Sequence, residues 1–446
     1  MTSSRISDLL KSLEEVPGSI RIHGATPSSR ALITLLIYAH RKKPILVICP
    51  NDDLAGEFVE NLEALSIISN TSELASKPLF GRFPTWDPAI YSPVSPSIRT
   101  RLERLSVLNQ LAQKNSNWIF ATSIPALSQM TLSRSLFLSH SIRLKINSEI
   151  ESREALIRQL TDSVYMRVDT VEDPGTFSVR GEIIDVFSPG ASRPLRIELF
   201  GNTLEKIREF DATSQRTLND AASLKDEVTI PPAREVLINS KTLSTLREKL
   251  KTSADDRGIT RAVRDPVMAS IQDGIYHDHS DGWAPFAYPE PSTLIDHLPE
   301  HTEIVWVDEL TCLQSWDEFL EDQLHLAAES PVNGVVLPAA ADLFLFNPAL
   351  EAKIKNYSRV FLDRIDIADL STKDDDPEAH PEAGIAKTSE FISEKHHVFV
   401  RNNGDLEKGS RTSLGEIEPK LQNWLKQKFK VVIFAATNSQ LERIRY

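Results

Sequence analysis

Residues 24–31 read Gly24-Ala25-Thr26-Pro27-Ser28-Ser29-Arg30-Ala31. The spacing is that of a phosphate-binding loop, G-x-x-x-x-G-K-[ST]. In such a loop the glycines let backbone N–H groups wrap a phosphate, the lysine meets the outer phosphates and the hydroxyl holds Mg²⁺. Only the first glycine is kept here. Ser29 stands at the second glycine and leaves the backbone less free. Arg30 puts a bulky fork where a compact ammonium is needed, and Ala31 has no hydroxyl for a metal. The segment predicts the frame of a nucleotide-binding domain without its ATP chemistry, which points to binding or scaffolding. Taken alone, it also reads as an ordinary strand, turn and helix.

Asp308-Glu309 follow the apolar run Glu303 to Val307. Carboxylates at the end of such a strand hold Mg²⁺ in working ATPases. Opposite Arg30 and Ala31 they are expected to be strand-end carboxylates facing solvent. His277 and His279 lie on a polar stretch with no third ligand nearby in sequence. With His396 and His397 they are read as solvated loop residues. The only cysteines, Cys49 and Cys312, sit beside apolar runs and are expected to be buried free thiols in a reducing cytoplasm.

The elements that must position these residues alternate. Ser19 to His23 reads as a strand and Arg30 to His40 as a helix with an apolar face. Ile45 to Cys49 is a continuous apolar strand of the kind found in a buried parallel sheet. A helix follows through Leu54, Phe58, Leu62 and Leu65. Phe80 to Ser97, rich in proline and aromatics, reads as an irregular crossing. Ile98 to Gln113 is helical, with Leu102, Leu105, Leu108 and Leu111 on one face, and Trp118 to Ala121 is a strand. A short helix through Ile6, Leu9, Leu10 and Leu13 precedes them. This alternation predicts an α/β domain with a parallel sheet.

Near residue 150 the texture changes. A helix from Glu151 to Asp162 precedes short strands between Tyr165 and Phe210, broken at Pro174-Gly175, Ser188-Pro189-Gly190 and Gly201-Asn202. Residues 371–390, with Asp374-Asp375-Asp376-Pro377, are acidic and proline-containing and read as a solvated linker. Beyond them come Val398 to Arg401, a helix with Ile417, Leu421, Leu425 and Phe429, and a strand from Val431 to Ala435. These suggest a further α/β unit, still incomplete at Tyr446.

The expected fold is α/β: a degenerate P-loop domain with a parallel sheet, a small α+β domain and a further C-terminal α/β domain. The boundaries read as 1–145, 146–214, 215–345 and 346–446. At 446 residues the chain is too long for one simple core. A net charge of −13 argues against non-specific nucleic-acid binding by the whole surface. No apolar stretch approaches the length of a membrane span and no signal-peptide pattern opens the chain, so a cytoplasmic protein without membrane partners is expected.

Three runs carry a specific resemblance. They are Phe177-Ser178-Val179-Arg180-Gly181-Glu182-Ile183-Ile184-Asp185-Val186-Phe187, Arg196-Ile197-Glu198-Leu199-Phe200-Gly201-Asn202 and Phe210-Asp211-Ala212-Thr213-Ser214-Gln215-Arg216. They resemble the module shared by the bacterial excinuclease protein UvrB and transcription-repair coupling factors. Ile45 to Leu54 resembles a helicase motif, and Ile304 to Glu309 resembles a Walker B strand. The region Arg82 to Tyr91 is too short for the DNA-clamping hairpin of UvrB. With Ser95 to Leu102, and with the degenerate loop, it is similar to the coupling factors. The chain thus resembles the N-terminal, UvrB-like part of a transcription-repair coupling factor.

That resemblance implies a helicase-like frame with the small domain inserted in it. It also implies docking of the small domain onto the excinuclease protein UvrA, with Arg167, Arg180 and Phe187 at the contact. Arginine forks would pair with carboxylates and the ring would bury apolar surface. UvrB proteins tend to carry a further arginine at the position of Ser178. The resemblance also implies that this region is non-catalytic. ATP and Mg²⁺, RNA polymerase and double-stranded DNA are expected to engage the rest of a full-length protein, where another domain would mask the docking surface. Without the resemblance, the two arginines read as solvated strand residues and Phe187 as core. The competing classes are a nucleotide-dependent helicase similar to UvrB, and a DNA-binding module.

Overall fold

The computed structural model describes residues 19–364 except 69–77, 88–89, 92–93, 95, 114–116, 219, 273–275, 277–278, 330–335 and 347, together with 385–390, 422–423 and 425–427. The large unit is built on a seven-stranded sheet. Its strands are β1 (Ser19–His23), β2 (Ile45–Cys49), β3 (Leu79–Phe83), β4 (Trp118–Ser123), β12 (Glu303–Val307), β13 (Ser358–Leu362) and β14 (Ile385–Glu390). They lie in the order β14-β1-β13-β12-β2-β4-β3, and all the pairings are parallel. The apolar runs are explained by burial on both faces, as a parallel sheet with helical crossovers requires. One face carries Ile20, Ile22, Val47, Val305 and Val360 against helices α1 (Pro27–Arg41) and α2 (Asp52–Ile68). The other carries Leu46, Ile48, Phe120, Ile304 and Trp306 against α3 (Ile98–Ala112).

Two expectations change here. The run 371–390, read as a linker, ends in β14, which pairs along the whole of β1. β13, between β1 and β12, is equally integral. Backbone hydrogen bonding therefore carries the large sheet past the expected boundary at 345, at least to residue 390. The expected helix through Ile417, Leu421, Leu425 and Phe429, the segment Val398 to Arg401, the strand from Val431 to Ala435 and the helix near Ile6 lie outside or mostly outside the described residues. The crossing after Phe80 also begins with a strand, β3, paired to β4.

The small unit is built on a five-stranded sheet. Its strands are β6 (Met166–Arg167), β7 (Thr176–Arg180), β8 (Ile183–Phe187), β9 (Leu195–Phe200) and β10 (Thr203–Glu209), in the order β10-β9-β8-β7-β6. It packs on helix α4 (Arg153–Asp162) through Phe177, Ile184, Val186, Ile197 and Leu199, with Leu156 and Leu160. The chain enters on β5 (Ile142–Lys145) and leaves on β11 (Glu227–Ile230), which pair antiparallel. Ile142, Leu144 and Ile230 belong to the same core. The inserted unit is therefore wider than 146–214, because its two connecting strands complete its core.

Its exit is pinned from the large unit. Arg104 of α3, fully buried, donates through two nitrogens to Glu235 at 2.6 and 3.0 Å. It also donates to the carbonyl of Pro84 and to Gln129, and its guanidinium stacks over Phe83 and Trp86.

Candidate functional site

The degenerate loop lies between β1 and α1. Gly24 has φ +81°, the left-handed conformation that its lack of a Cβ permits. Pro27 opens α1 and offers no N–H to a phosphate. Ser29, Arg30 and Ala31 are all buried. Ser29 folds back, its hydroxyl donating to the Thr26 carbonyl at 2.9 Å. The Ala25 N–H is engaged by the carbonyl of Asp363.

Arg30 donates to Asp308 at 2.6 Å. Arg21, in the middle of β1 and 3 % exposed, donates to Glu309 at 2.5 Å and to Asp363, and stacks on Phe361. Asp308 and Glu309 are thus half-buried and held by buried arginines, where the sequence suggested carboxylates facing solvent. Burial pushes the Glu309 and Asp363 carboxyls above their usual range, against the pull of Arg21. Two guanidiniums face three carboxylates, so the fully ionised cluster carries no surplus positive charge for a nucleotide. The chemistry of the residues does not fit ATP with Mg²⁺: there is no hydroxyl at residue 31, and the carboxylate at 308 is occupied. Arg21 and Asp363 were not singled out from the sequence. The signal was present, since an arginine between Ile20 and Ile22 in a buried strand needs an acidic partner.

Cys49 and Cys312 are buried and free, as expected, and burial raises both thiols. His279 is buried rather than solvated, while His277, His396 and His397 lie outside the described residues. Among the described residues no group of His, Cys, Asp and Glu could hold a metal ion, and no helix is long and apolar enough to cross a membrane.

In the small unit, Arg167 lies on edge strand β6 beside Phe177 of β7, and Arg180 ends β7 three residues further on. Both are exposed, and neither has an ion pair among the described residues. Arg180 is steadied by the Asp169 carbonyl at 3.0 Å and by Thr170, which leaves its other guanidinium donors free. Phe187 is different. It is 9 % exposed and packs with Val171 and Phe210. A ring already buried in its own domain is not available to a partner, so Phe187 is core. Ser178 is buried too, level with Asp185 on β8.

The Phe210 to Arg216 run is the cover over this half of the sheet. Arg196 grips Asp185 at 2.8 and 2.9 Å, donates to Thr217 and stacks on Phe210. Gln215, at φ +59°, donates to the carbonyls of Val171 and Ala212. These motif residues hold the fold.

Together these observations define a parallel-sheet domain with an arginine-filled loop after its first strand, carrying an inserted antiparallel domain. A family model described as the UvrB interaction domain matches residues 142–235, which agrees with the β5 and β11 limits. The transcription-repair-coupling factor of Myxococcus xanthus is 26 % identical over 433 residues, covering 96 % of this chain and 34 % of that protein. That of Bacillus subtilis (strain 168) is 25 % identical over 341 residues, covering 72 % and 27 %. That of Staphylococcus aureus (strain MRSA252) is 27 % identical over 328 residues, covering 71 % and 26 %. The chain is similar along nearly its whole length to the first of these relatives, and it spans about a third of that protein's length.

Proposed function

We propose that this chain is the non-catalytic, UvrB-like part of a transcription-repair coupling factor, and that its small domain recruits the excinuclease protein UvrA to stalled RNA polymerase for nucleotide excision repair. The observation that carries the reading is the pairing of two states in one chain. The nucleotide loop is closed by its own arginines, while the UvrB interaction domain presents Arg167 and Arg180 exposed and outside any described ion pair. Guanidinium forks of this kind suit carboxylates on a partner. ATP, Mg²⁺, RNA polymerase and duplex DNA belong, in this reading, to the rest of the full-length protein.

The test is binding to purified UvrA, with the Arg167→Ala/Arg180→Ala double variant alongside. Each substitution should cost on the order of 2 kcal/mol of binding free energy or more. A folded double variant that binds like the wild type would refute the site. Titration with ATP and Mg²⁺ should give no saturable binding; saturable binding would favour the helicase reading instead.

A further inference from the structure

The small sheet has two halves on the face away from its core. One half is sealed by Phe187, Val171 and Phe210. The other ends in two hairpins. β7 and β8 are joined through Gly181-Glu182, and β9 and β10 through Gly201-Asn202, with φ +60° and +62° at the glycines. Those left-handed glycines are what tight two-residue hairpin turns require. Because β8 is antiparallel to both β7 and β9, the two turns lie at the same end of the sheet. Hydrogen bonds from Leu199 N–H to the Glu182 carbonyl and from Arg153 to the Gly181 carbonyl tie this end together.

Arg180 and Phe200 each immediately precede a turn glycine. Strand alternation puts both on the outer face: their neighbours Val179 and Leu199 belong to the core. Register aligns Arg180 with Ile183 and Ile183 with Glu198, two residues before Phe200. Strand spacing then sets Arg180 and Phe200 about 12 Å apart. Phe200 is 79 % exposed, the most exposed of the large apolar side chains described. Glu198 is neutralised locally by Lys206 and Arg208, so Arg180 is left to meet a carboxylate from outside.

We infer that Phe200 is the aromatic anchor of this domain's docking surface, seating in an apolar recess of UvrA while Arg180 pairs with an acidic group beside it. The inference rests on the proposed recruitment of that protein and extends it to a residue outside the expected contact set. An exposed ring on the same face as a guanidinium that has no ion pair among the described residues is the composition that concentrates binding energy at the centre of an interface. A separation of about 12 Å fits easily within a standard footprint of roughly 800 Å² per partner.

The experiment measures the affinity of purified UvrA for the chain carrying Phe200→Ser, Phe200→Leu or Arg180→Ala. Circular dichroism confirms that each variant is folded. Phe200→Ser should weaken binding about thirtyfold, and Phe200→Leu, which keeps apolar surface, should weaken it much less. If Arg180→Ala weakens binding and folded Phe200→Ser does not, the anchor is refuted and the recruitment reading stands. If the wild-type chain does not bind UvrA at all, both fall together.

Discussion

The guanidinium of Arg30 lies 2.6 Å from the carboxylate of Asp308, so the side chain at the lysine position of the loop is joined to the one at the metal position. In a working site both would contact the nucleotide complex. Here they satisfy each other, and Arg21 does the same for Glu309 and Asp363. The loop has become an internal ionic joint between β1, α1 and the ends of β12 and β13.

Removing Arg30 should therefore destabilise the fold without opening a nucleotide site. Arg30→Ala leaves Asp308 beside two further carboxylates. A fully buried pair broken on one side costs about 3–5 kcal/mol. The Asp308 side chain is 24 % exposed, so water offsets part of that, and about 1–3 kcal/mol is expected. Urea denaturation reads the loss, and adding Asp308→Ala should recover part of it. A variant as stable as wild type would mean that the joint contributes nothing.

Acid sensitivity should trace in part to His297. This imidazole is 1 % exposed and hydrogen-bonds the Leu132 carbonyl at 2.9 Å through Nε2. Burial lowers its pKa below the ordinary 6.5. The unfolded chain then takes up a proton more readily than the folded one. The contribution is intact above pH 6.5 and is lost as pH falls through 6.5 towards the lower folded value. Glu303, Glu309 and Asp363, raised by burial, act in the opposite sense as they protonate. The wild type must therefore be compared with His297→Gln. The stability difference between them should narrow or reverse from pH 7.5 to pH 5.5 in denaturation measurements; a constant difference would exclude His297.

Two inner strands of the large sheet were legible because they are largely apolar runs: Ile45 to Cys49 and Glu303 to Val307 match β2 and β12. β14, reading Ile-Ala-Lys-Thr-Ser-Glu, has no such run, since an edge strand needs only a backbone partner. β3 was obscured by the prolines that follow it. At the site, residue types showed that ATP chemistry was lost, but not that arginines had filled the space, because Arg21 and Asp363 are 342 positions apart. Phe187 and Phe200 show the same limit. Both are motif phenylalanines ending a strand, and only the fold tells which is covered by Phe210 and which is bare.

The contact between the two units should be sensitive at Gly190. This glycine has φ +74°, and a Cβ there would lie 2.5 Å from the Cβ of Ser106 on α3. Gly190→Ala combines a left-handed backbone, about 1–2 kcal/mol, with overpacking of about 1–3 kcal/mol. Ser106→Gly in the same chain should recover part of the steric share, since the Ser106 Cα stays 3.0 Å from the added Cβ, and leave the backbone share, as a double-mutant cycle would show. If Ser106→Gly recovers nothing, the two residues are not in contact in solution.

Phe187 and Phe200 should separate stability from binding. Phe187 packs against Val171 and Phe210 at 9 % exposure, so Phe187→Ala should cost about 3 kcal/mol of folding free energy. Its effect on binding UvrA should disappear once the folded fraction is accounted for. Phe200→Ala, at a position 79 % exposed, should change stability by no more than about 0.5 kcal/mol. Thermal and urea unfolding of the two variants, run beside the binding assay, give four numbers. A destabilised Phe200→Ala, or a stable Phe187→Ala that fails to bind, would reverse the roles assigned to the two rings.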